Sequence, residues 1–286
     1  MKVSLIGSGT IGQATGMGLS KVGHDVIFYD IDEKVLKTLK DRKYRVAERL
    51  EGVNGCDVHF VCVPTPVSRG IMDFSFVESA VSALAKVMTE HDGYQMVVIR
   101  STMLPFTIRN RIVPLLEHGC HLTLGKQYGV CHNPEFLRGA HALEDFLNPP
   151  IIVIGTYDEQ SARLIKQIYA PFKVPMLATT LENAEAIKIF SNVYNSSKVS
   201  FFNDMYLIAE KLGLDHKVIS EALTKASFGV RIPEYYTKGG YPFDGPCLPK
   251  DLAAFITFLK QQGLDPGFYE EVSKINEEMK SQKKEE

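Results

Sequence analysis

Lys2-Val3-Ser4-Leu5-Ile6-Gly7-Ser8-Gly9-Thr10-Ile11-Gly12 is the stretch that decides the fold. A short apolar strand runs into Gly-x-Gly-x-x-Gly, and an alternating helical stretch follows from Ile11 to about Val22. Gly23 stops that helix, and a second strand, Val26–Tyr29, ends at Asp30. Strand, glycine turn, helix, strand and terminal acid together form a dinucleotide-binding unit. Gly7 permits the tight turn, Gly9 lets the backbone approach a pyrophosphate, and Gly12 lets the helix pack on the strand. Thr10 and Ile11 open the helix whose N-terminus would face the phosphates. Asp30 stands where a carboxylate binds the ribose 2′-hydroxyl of NAD and repels the 2′-phosphate of NADP.

Outward from this unit, strand and helix patterns keep alternating. Val58–Val63, Met96–Arg100, Tyr128–Cys131 and Ile151–Ile154 read as strands. Phe76–Met88, Ile108–Leu116 and Glu159–Tyr169 read as helices. The fold class is therefore α/β: a Rossmann-type, doubly wound, mostly parallel sheet. Pro64-Thr65-Pro66, Ser101-Thr102 and Asn133-Pro134-Glu135 all follow strands and should gather on one rim of it. From Leu181 the chain reads as helical, with a long element over Leu181–Leu212. Further helices are expected near Lys217–Lys225, Leu252–Gln261 and Phe268–Lys280, with a loop over Ser227–Lys250 and a frayed tail over Lys280–Glu286. The expected domains are 1–180, cofactor-binding, and 181–286, helical.

Gly245-Pro246-Cys247-Leu248-Pro249-Lys250-Asp251 places a cysteine in a constrained turn before an apolar helical run. A helix N-terminus and a neighbouring lysine lower a thiol's pKa and make it a nucleophile. A buried structural cysteine beside a helix cap fits the same residues. On the long helix, Glu185, Lys188 and Asn192 share one face. That spacing serves a functional cluster or a solvated Glu–Lys pair.

The composition excludes several classes. A net charge of −2 over 286 residues gives no electrostatic case for nucleic acid or an anionic membrane. No apolar run is long enough to cross a membrane, and the N-terminus enters the first strand directly, so no signal peptide is expected. The five cysteines, 56, 62, 120, 131 and 247, have no metal-ligand spacing, so no metal is expected, and they fit a reducing cytoplasm. All but Cys247 lie in or beside apolar segments and read as core thiols.

Taken together, the chain resembles the UDP-glucose/GDP-mannose 6-dehydrogenase family of nucleotide-sugar dehydrogenases, nearly end to end. The resemblance is carried by Gly7/Gly9/Gly12, Val63-Pro64-Thr65-Pro66, Ser101-Thr102, Asn133-Pro134-Glu135-Phe136-Leu137-Arg138, Glu185-x-x-Lys188-x-x-x-Asn192, Phe201-x-Asn203-Asp204 and Gly245 to Asp251. It implies NAD as cofactor and a four-electron oxidation of a primary alcohol to a carboxylate. Cys247 would be the nucleophile, passing through a thiohemiacetal and a thioester. Lys188 and Asn192 would stabilise the oxyanion. Asp251, Thr102 and Glu135 would orient water and assist proton transfer. Val63, Pro64, Thr65, Ser101, Thr102 and Lys250 join the cofactor side. Aromatic residues on several faces of the long helix (Phe190, Tyr194, Phe201, Phe202, Tyr206) read as burial against more than one partner; the resemblance implies a homodimer built on that helix, with burial within one chain as the alternative.

The chain also departs from the family. Asn276 falls about where a third domain closing over the nucleotide should begin, and the chain ends at Glu286; the segment between Asp30 and Val58 is short. Gly139 replaces a glutamate, Asp244 and Phe106 replace glycines, and Asp204 replaces a glutamate. The expected substrate is a nucleotide sugar, a nucleotide or a sugar phosphate, with a partner-supplied lid or a longer parent chain as alternatives to a smaller substrate. The competing functions are a two-electron dehydrogenase of the β-hydroxyacid type and a non-catalytic NAD-binding remnant.

Overall fold

The computed structural model describes residues 1–89, 93–226 and 239–282. In chain order the elements are β1 (Lys2–Ile6), α1 (Thr10–Lys21), β2 (Asp25–Tyr29), α2 (Glu33–Asp41), β3 (Val58–Val61), β4 (Val67–Ser68), β5 (Ile71–Met72) and α3 (Ser75–Val87). Then come β6 (Gln95–Ile99), α4 (Val113–Gly119), β7 (Tyr128–His132), α5 (Ala142–Leu147), β8 (Ile152–Thr156), α6 (Glu159–Tyr169) and β9 (Met176–Thr180). Last are α7 (Leu181–Leu212), α8 (His216–Ala226), α9 (Leu248–Gln261) and α10 (Gly267–Gln282). The chain divides into two compact units, one of residues 1–65 and 73–188, the other of 66–72 and 189–286.

The first unit is built on a seven-stranded sheet in the order β2-β1-β3-β6-β7-β8-β9. Every neighbouring pair runs parallel except β7 and β8. Strands β3, β6 and β7 are buried at every position, as central parallel strands covered on both faces must be. Val3, Leu5, Phe28, Phe60, Met96 and Val98 form one apolar core with Met17 and Leu19 of α1 and Ile165 and Ile168 of α6. Strand order reverses at β1, so the crevice beyond the C-terminal ends of β1 and β3 is the natural ligand site of the sheet. The α/β, Rossmann-type architecture read from the sequence is the one observed.

Several boundaries differ from expectation for local reasons. The helix expected over Ile108–Leu116 begins as a π-turn at Ile108–Ile112 and becomes α-helical only at Val113. Pro114 has no N–H to donate, so a regular ladder cannot run through that turn. Helix α9 starts at Leu248 rather than Leu252, because Pro249 occupies the first turn, where no N–H is needed. Strand β9 and the hairpin β4–β5 had no clear alternating signal. Of the expected loop over Ser227–Lys250, residues 227–238 lie outside the described residues, as do 283–286 of the tail.

In the second unit, α7 from Ile189 onward, α8, α9 and α10 form a helical body, and the β4–β5 hairpin packs against α9. Among the described residues no helix is long and apolar enough to cross a membrane, and no group of three or more His, Cys, Asp or Glu is placed to hold a metal.

Candidate active site

The nucleotide crevice is shaped by backbone contacts that only glycine allows. Gly7 has φ +87°, and a Cβ there would meet Cys62 carbonyl atoms at 2.9 Å and Val63 Cγ1 at 2.8 Å. The turns after β1 and β3 therefore touch. A Cβ on Gly12 would strike the Gly7 carbonyl oxygen. Gly9, by contrast, would meet nothing within 4 Å, so the space above it is open. Gly9 is also the N-cap of α1 and provides no side-chain bond to the first N–H groups, which Thr10 and Ile11 carry. Open space over uncapped N–H groups fits a pyrophosphate. Asp30 accepts from the Ser8 N–H at 2.6 Å and the Asp32 N–H at 2.9 Å, which fixes its carboxylate at the end of β2. These residues fit a bound NAD.

Beside this crevice lie the loops after β3 and β6. Ser101 Oγ donates to the Val63 carbonyl oxygen at 2.6 Å and so ties the two loops together. Pro64 is exposed, Thr65 buried and Thr102 half-buried. The loop after β7 carries Asn133-Pro134-Glu135. Asn133 is locked in the core: Arg100 Nη1 donates to its Oδ1 at 2.5 Å, Tyr169 Oη donates to the same oxygen at 2.5 Å, and its Nδ2 donates to the Val153 carbonyl oxygen at 2.8 Å. Neither Arg100 nor Tyr169 stands in a motif of the sequence; a lone Arg at a strand end carries no pattern that marks it as buried. His132, also buried, has its pKa pushed down to about 3 by burial and stays neutral.

Glu135 accepts from Lys188 Nζ at 2.9 Å, and Lys188 also lies over the Phe136 ring. Both side chains are nearly buried. Lys188 is thus paired with a residue 53 positions away, not with Glu185 one turn before it. Glu185 is fully buried and accepts from the Phe106 and Ile108 N–H groups, each at 2.8 Å. Burial pushes its carboxyl up to about 8 against the pull of those two donors. The solvated Glu–Lys pair that the helix spacing allowed is absent.

Burial pushes the Glu135 carboxyl up, but the Lys188 ammonium, the Leu137 N–H and the Arg100 guanidinium pull harder and hold it below its ordinary 4.5. A folded value below the unfolded one adds stability above pH 4.5, and the gain is lost as the pH falls through the folded value. The melting temperature is therefore expected to fall on acidification from pH 7 to pH 3, and to fall less in Glu135→Gln. Equal losses in both proteins would show that this pair does not carry the acid sensitivity.

The second unit holds the cysteine. Cys247 is exposed and is the N-cap of α9, and its carbonyl oxygen accepts the Asp251 N–H at 3.0 Å. A thiol at a helix N-terminus lies at the positive end of the helix dipole, the setting that favours thiolate. The buried structural cysteine that the turn also allowed is excluded by this exposure. Asp251 is buried and uses both oxygens: Asn192 Nδ2 donates to one at 2.5 Å and Lys250 Nζ to the other at 2.9 Å. Asn192 follows Lys188 by one turn of α7, so the two share a helix face.

The segment entering the Cys247 turn is held by two buried amides. Asn203 donates to the Tyr241 carbonyl oxygen at 3.0 Å and accepts its N–H at 3.3 Å. Asn276 does the same for Phe243, at 3.1 and 2.8 Å. Elsewhere in this unit, Phe190, Tyr194, Lys198, Phe201, Phe255 and Tyr269 line an apolar groove of about 580 Å³.

Comparison with known proteins identifies the family. Residues 1–53 and 41–173 match the NAD binding domain of the UDP-glucose/GDP-mannose dehydrogenase family, and residues 182–278 match its central domain. The chain is 33% identical to the GDP-mannose 6-dehydrogenase of Pseudomonas aeruginosa, over 92% of this chain and 65% of that protein. It is 30% identical to the UDP-glucose 6-dehydrogenase AglM of Haloferax volcanii, over 97% and 70%. The structure of a UDP-glucose dehydrogenase from the hyperthermophilic archaeon Pyrobaculum islandicum superposes with a TM-score of 0.86 at 30% identity, covering 96% of this chain and 68% of that one. The chain spans about two thirds of the length of these relatives.

Proposed function

Since the chain belongs to the UDP-glucose/GDP-mannose dehydrogenase family, we propose that it oxidises the primary alcohol of a nucleotide sugar to a carboxylate, in two steps, at Cys247. The observation that carries this reading is an exposed thiol at the N-cap position of a helix in the unit that also holds the Asn192–Asp251–Lys250 cluster. A two-electron alcohol dehydrogenase has no use for such a thiol.

NAD held on the Gly7–Gly12 turn supplies the electron-pair acceptor for both oxidations. The chain's own groups do the rest. In the first step Thr102 and Glu135 hold the alcohol proton's acceptor, an ordered water, and the product is an aldehyde. The Cys247 thiolate then attacks the aldehyde carbon, forming a C–S bond and moving charge onto the carbonyl oxygen. Lys188 supplies a positive charge to that oxygen and Asn192 an N–H. The resulting thiohemiacetal loses its second pair of electrons and becomes a thioester. Water held by Asp251 adds to the thioester carbon, the C–S bond breaks, and the thiolate leaves with the acid formed. Lys250, beside Asp251, supports the cofactor side of this centre. The chemistry draws on a cofactor-binding domain over 1–180 and a helical domain over 181–286.

We take the working unit to be a homodimer in the cytoplasm, joined along α7. Phe190, Tyr194 and Phe201 are each more than half exposed there and border the apolar groove. Exposed aromatic surface on that scale marks an interface.

The test is the NADH yield per substrate, with UDP-glucose, GDP-mannose and related nucleotide sugars each limiting in turn. Two NADH per sugar with acid as product is the expected result. One NADH with an aldehyde or ketone would replace this reading with a two-electron dehydrogenase, and none from any sugar would leave a binding protein.

A further inference from the structure

Phe106 sits in the left-handed region of backbone space, at φ +69°. A bulky aromatic is strained there and persists only where its surroundings over-determine the backbone. Glu185 does so. Its two carboxylate oxygens accept the N–H groups of Phe106 and Ile108, and the turn between them is closed by the Thr107 N–H on the Leu104 carbonyl oxygen at 3.1 Å. Thr107, the N-cap of the π-turn at Ile108–Ile112, makes no side-chain cap bond. The cap is supplied by a carboxylate 77 positions away in sequence.

An apolar side chain would fill this buried position without the cost of burying a carboxylate. What Glu185 adds is geometry. The loop after β6 is anchored at its start by Ser101 on Val63 and at its end by Glu185, and Thr102 lies between the anchors. Three residues on, Lys188 grips Glu135 in the loop after β7. One turn of α7 therefore holds both post-strand loops.

We propose that Glu185 is a positioning residue, clamping the strained Leu104–Ile108 turn so that Thr102 is set in register with Lys188 and Glu135. This rests on the dehydrogenase reading for what Thr102 does, but the clamp itself is tested without it.

The comparison is between the full chain and its Glu185→Gln, Phe106→Gly and doubly substituted variants. Gln keeps the size and one acceptor but presents an NH2 group to the second N–H. Above pH 8, where the Glu185 carboxyl is ionised and both oxygens accept, amide hydrogen exchange at Phe106 and Ile108 is expected to accelerate about tenfold in Glu185→Gln, the loss of roughly one hydrogen bond. NADH release is expected to show kcat about tenfold lower with KM for NAD unchanged. Glycine adopts positive φ without strain, so adding Phe106→Gly is expected to restore most of the lost kcat. A merely structural glutamate would lower the melting temperature and give no such rescue. Unchanged exchange at the two amides, or a kcat loss that Phe106→Gly does not reduce, would overturn the proposal. If Glu185→Gln does not fold, the same two readouts are taken between Phe106→Gly and the double variant, where a tenfold rise in exchange without further loss of kcat supports the clamp and unchanged exchange refutes it. If the unsubstituted chain forms no NADH, the dehydrogenase reading falls, and the exchange rates alone decide the clamp.

Discussion

Replacing Cys247 with Ala is expected to abolish carboxylate formation, a loss on the order of 10³-fold or more, as for other nucleophiles whose removal deletes a covalent route. The expectation comes from position. Cys247 stands at the N-cap position of α9, where the positive end of the helix dipole favours an anion, and it is exposed to an incoming carbonyl. Cys247→Ser is expected to fail equally, because a hydroxyl is not ionised by the same field. The other thiols are poorly suited to substitute for it. Burial pushes Cys56 up to about 11 and Cys62 to about 12, and raises Cys120 and Cys131 as well. Iodoacetamide at neutral pH is accordingly expected to label Cys247 first, and a mass spectrum of the digested protein reads this directly. Acid formation at the unsubstituted rate by Cys247→Ala would end the thioester mechanism.

Lys188→Met is expected to lower kcat by about 10²–10³-fold, the cost of one oxyanion donor, and to destabilise the fold by about 3–5 kcal/mol, the cost of stripping one partner from a buried ion pair. The second effect follows from Glu135, which would keep its charge in a nearly buried site after losing the ammonium at 2.9 Å. The two effects are separable. Adding Glu135→Gln to Lys188→Met removes the orphaned charge and is expected to return much of the stability while leaving the rate low. Urea unfolding reports the first quantity and NADH release the second. Recovery of both together would mean that Lys188 serves only the fold, and recovery of neither would mean that its pairing with Glu135 is not what the fold depends on.

Where sequence reading succeeded, the signal was local. Gly7 and Gly12 are required by backbone contacts within a few residues or against the next strand, so their spacing alone announces the turn. The apolar runs of β1, β3, β6 and β7 and the length of α7 are likewise written along the chain. Strand β9, short and with several exposed positions, has no comparable period, and the antiparallel turn from β7 to β8 depends on which sheet edge is open.

The chain's linear order thus determined the Rossmann-type sheet, the NAD-binding turn and the cysteine in its Gly/Pro turn, because each rests on residues adjacent in sequence. Tertiary structure alone decided which charges meet. Along α7, Glu185 and Lys188 look like partners, yet burial sends Lys188 to Glu135 and Glu185 to the N–H groups of a strained turn. Asp251 meets Asn192 across 59 positions in the same way. A buried charge must find its compensation among whatever groups the fold brings within about 3 Å, and no periodicity in the chain encodes that choice.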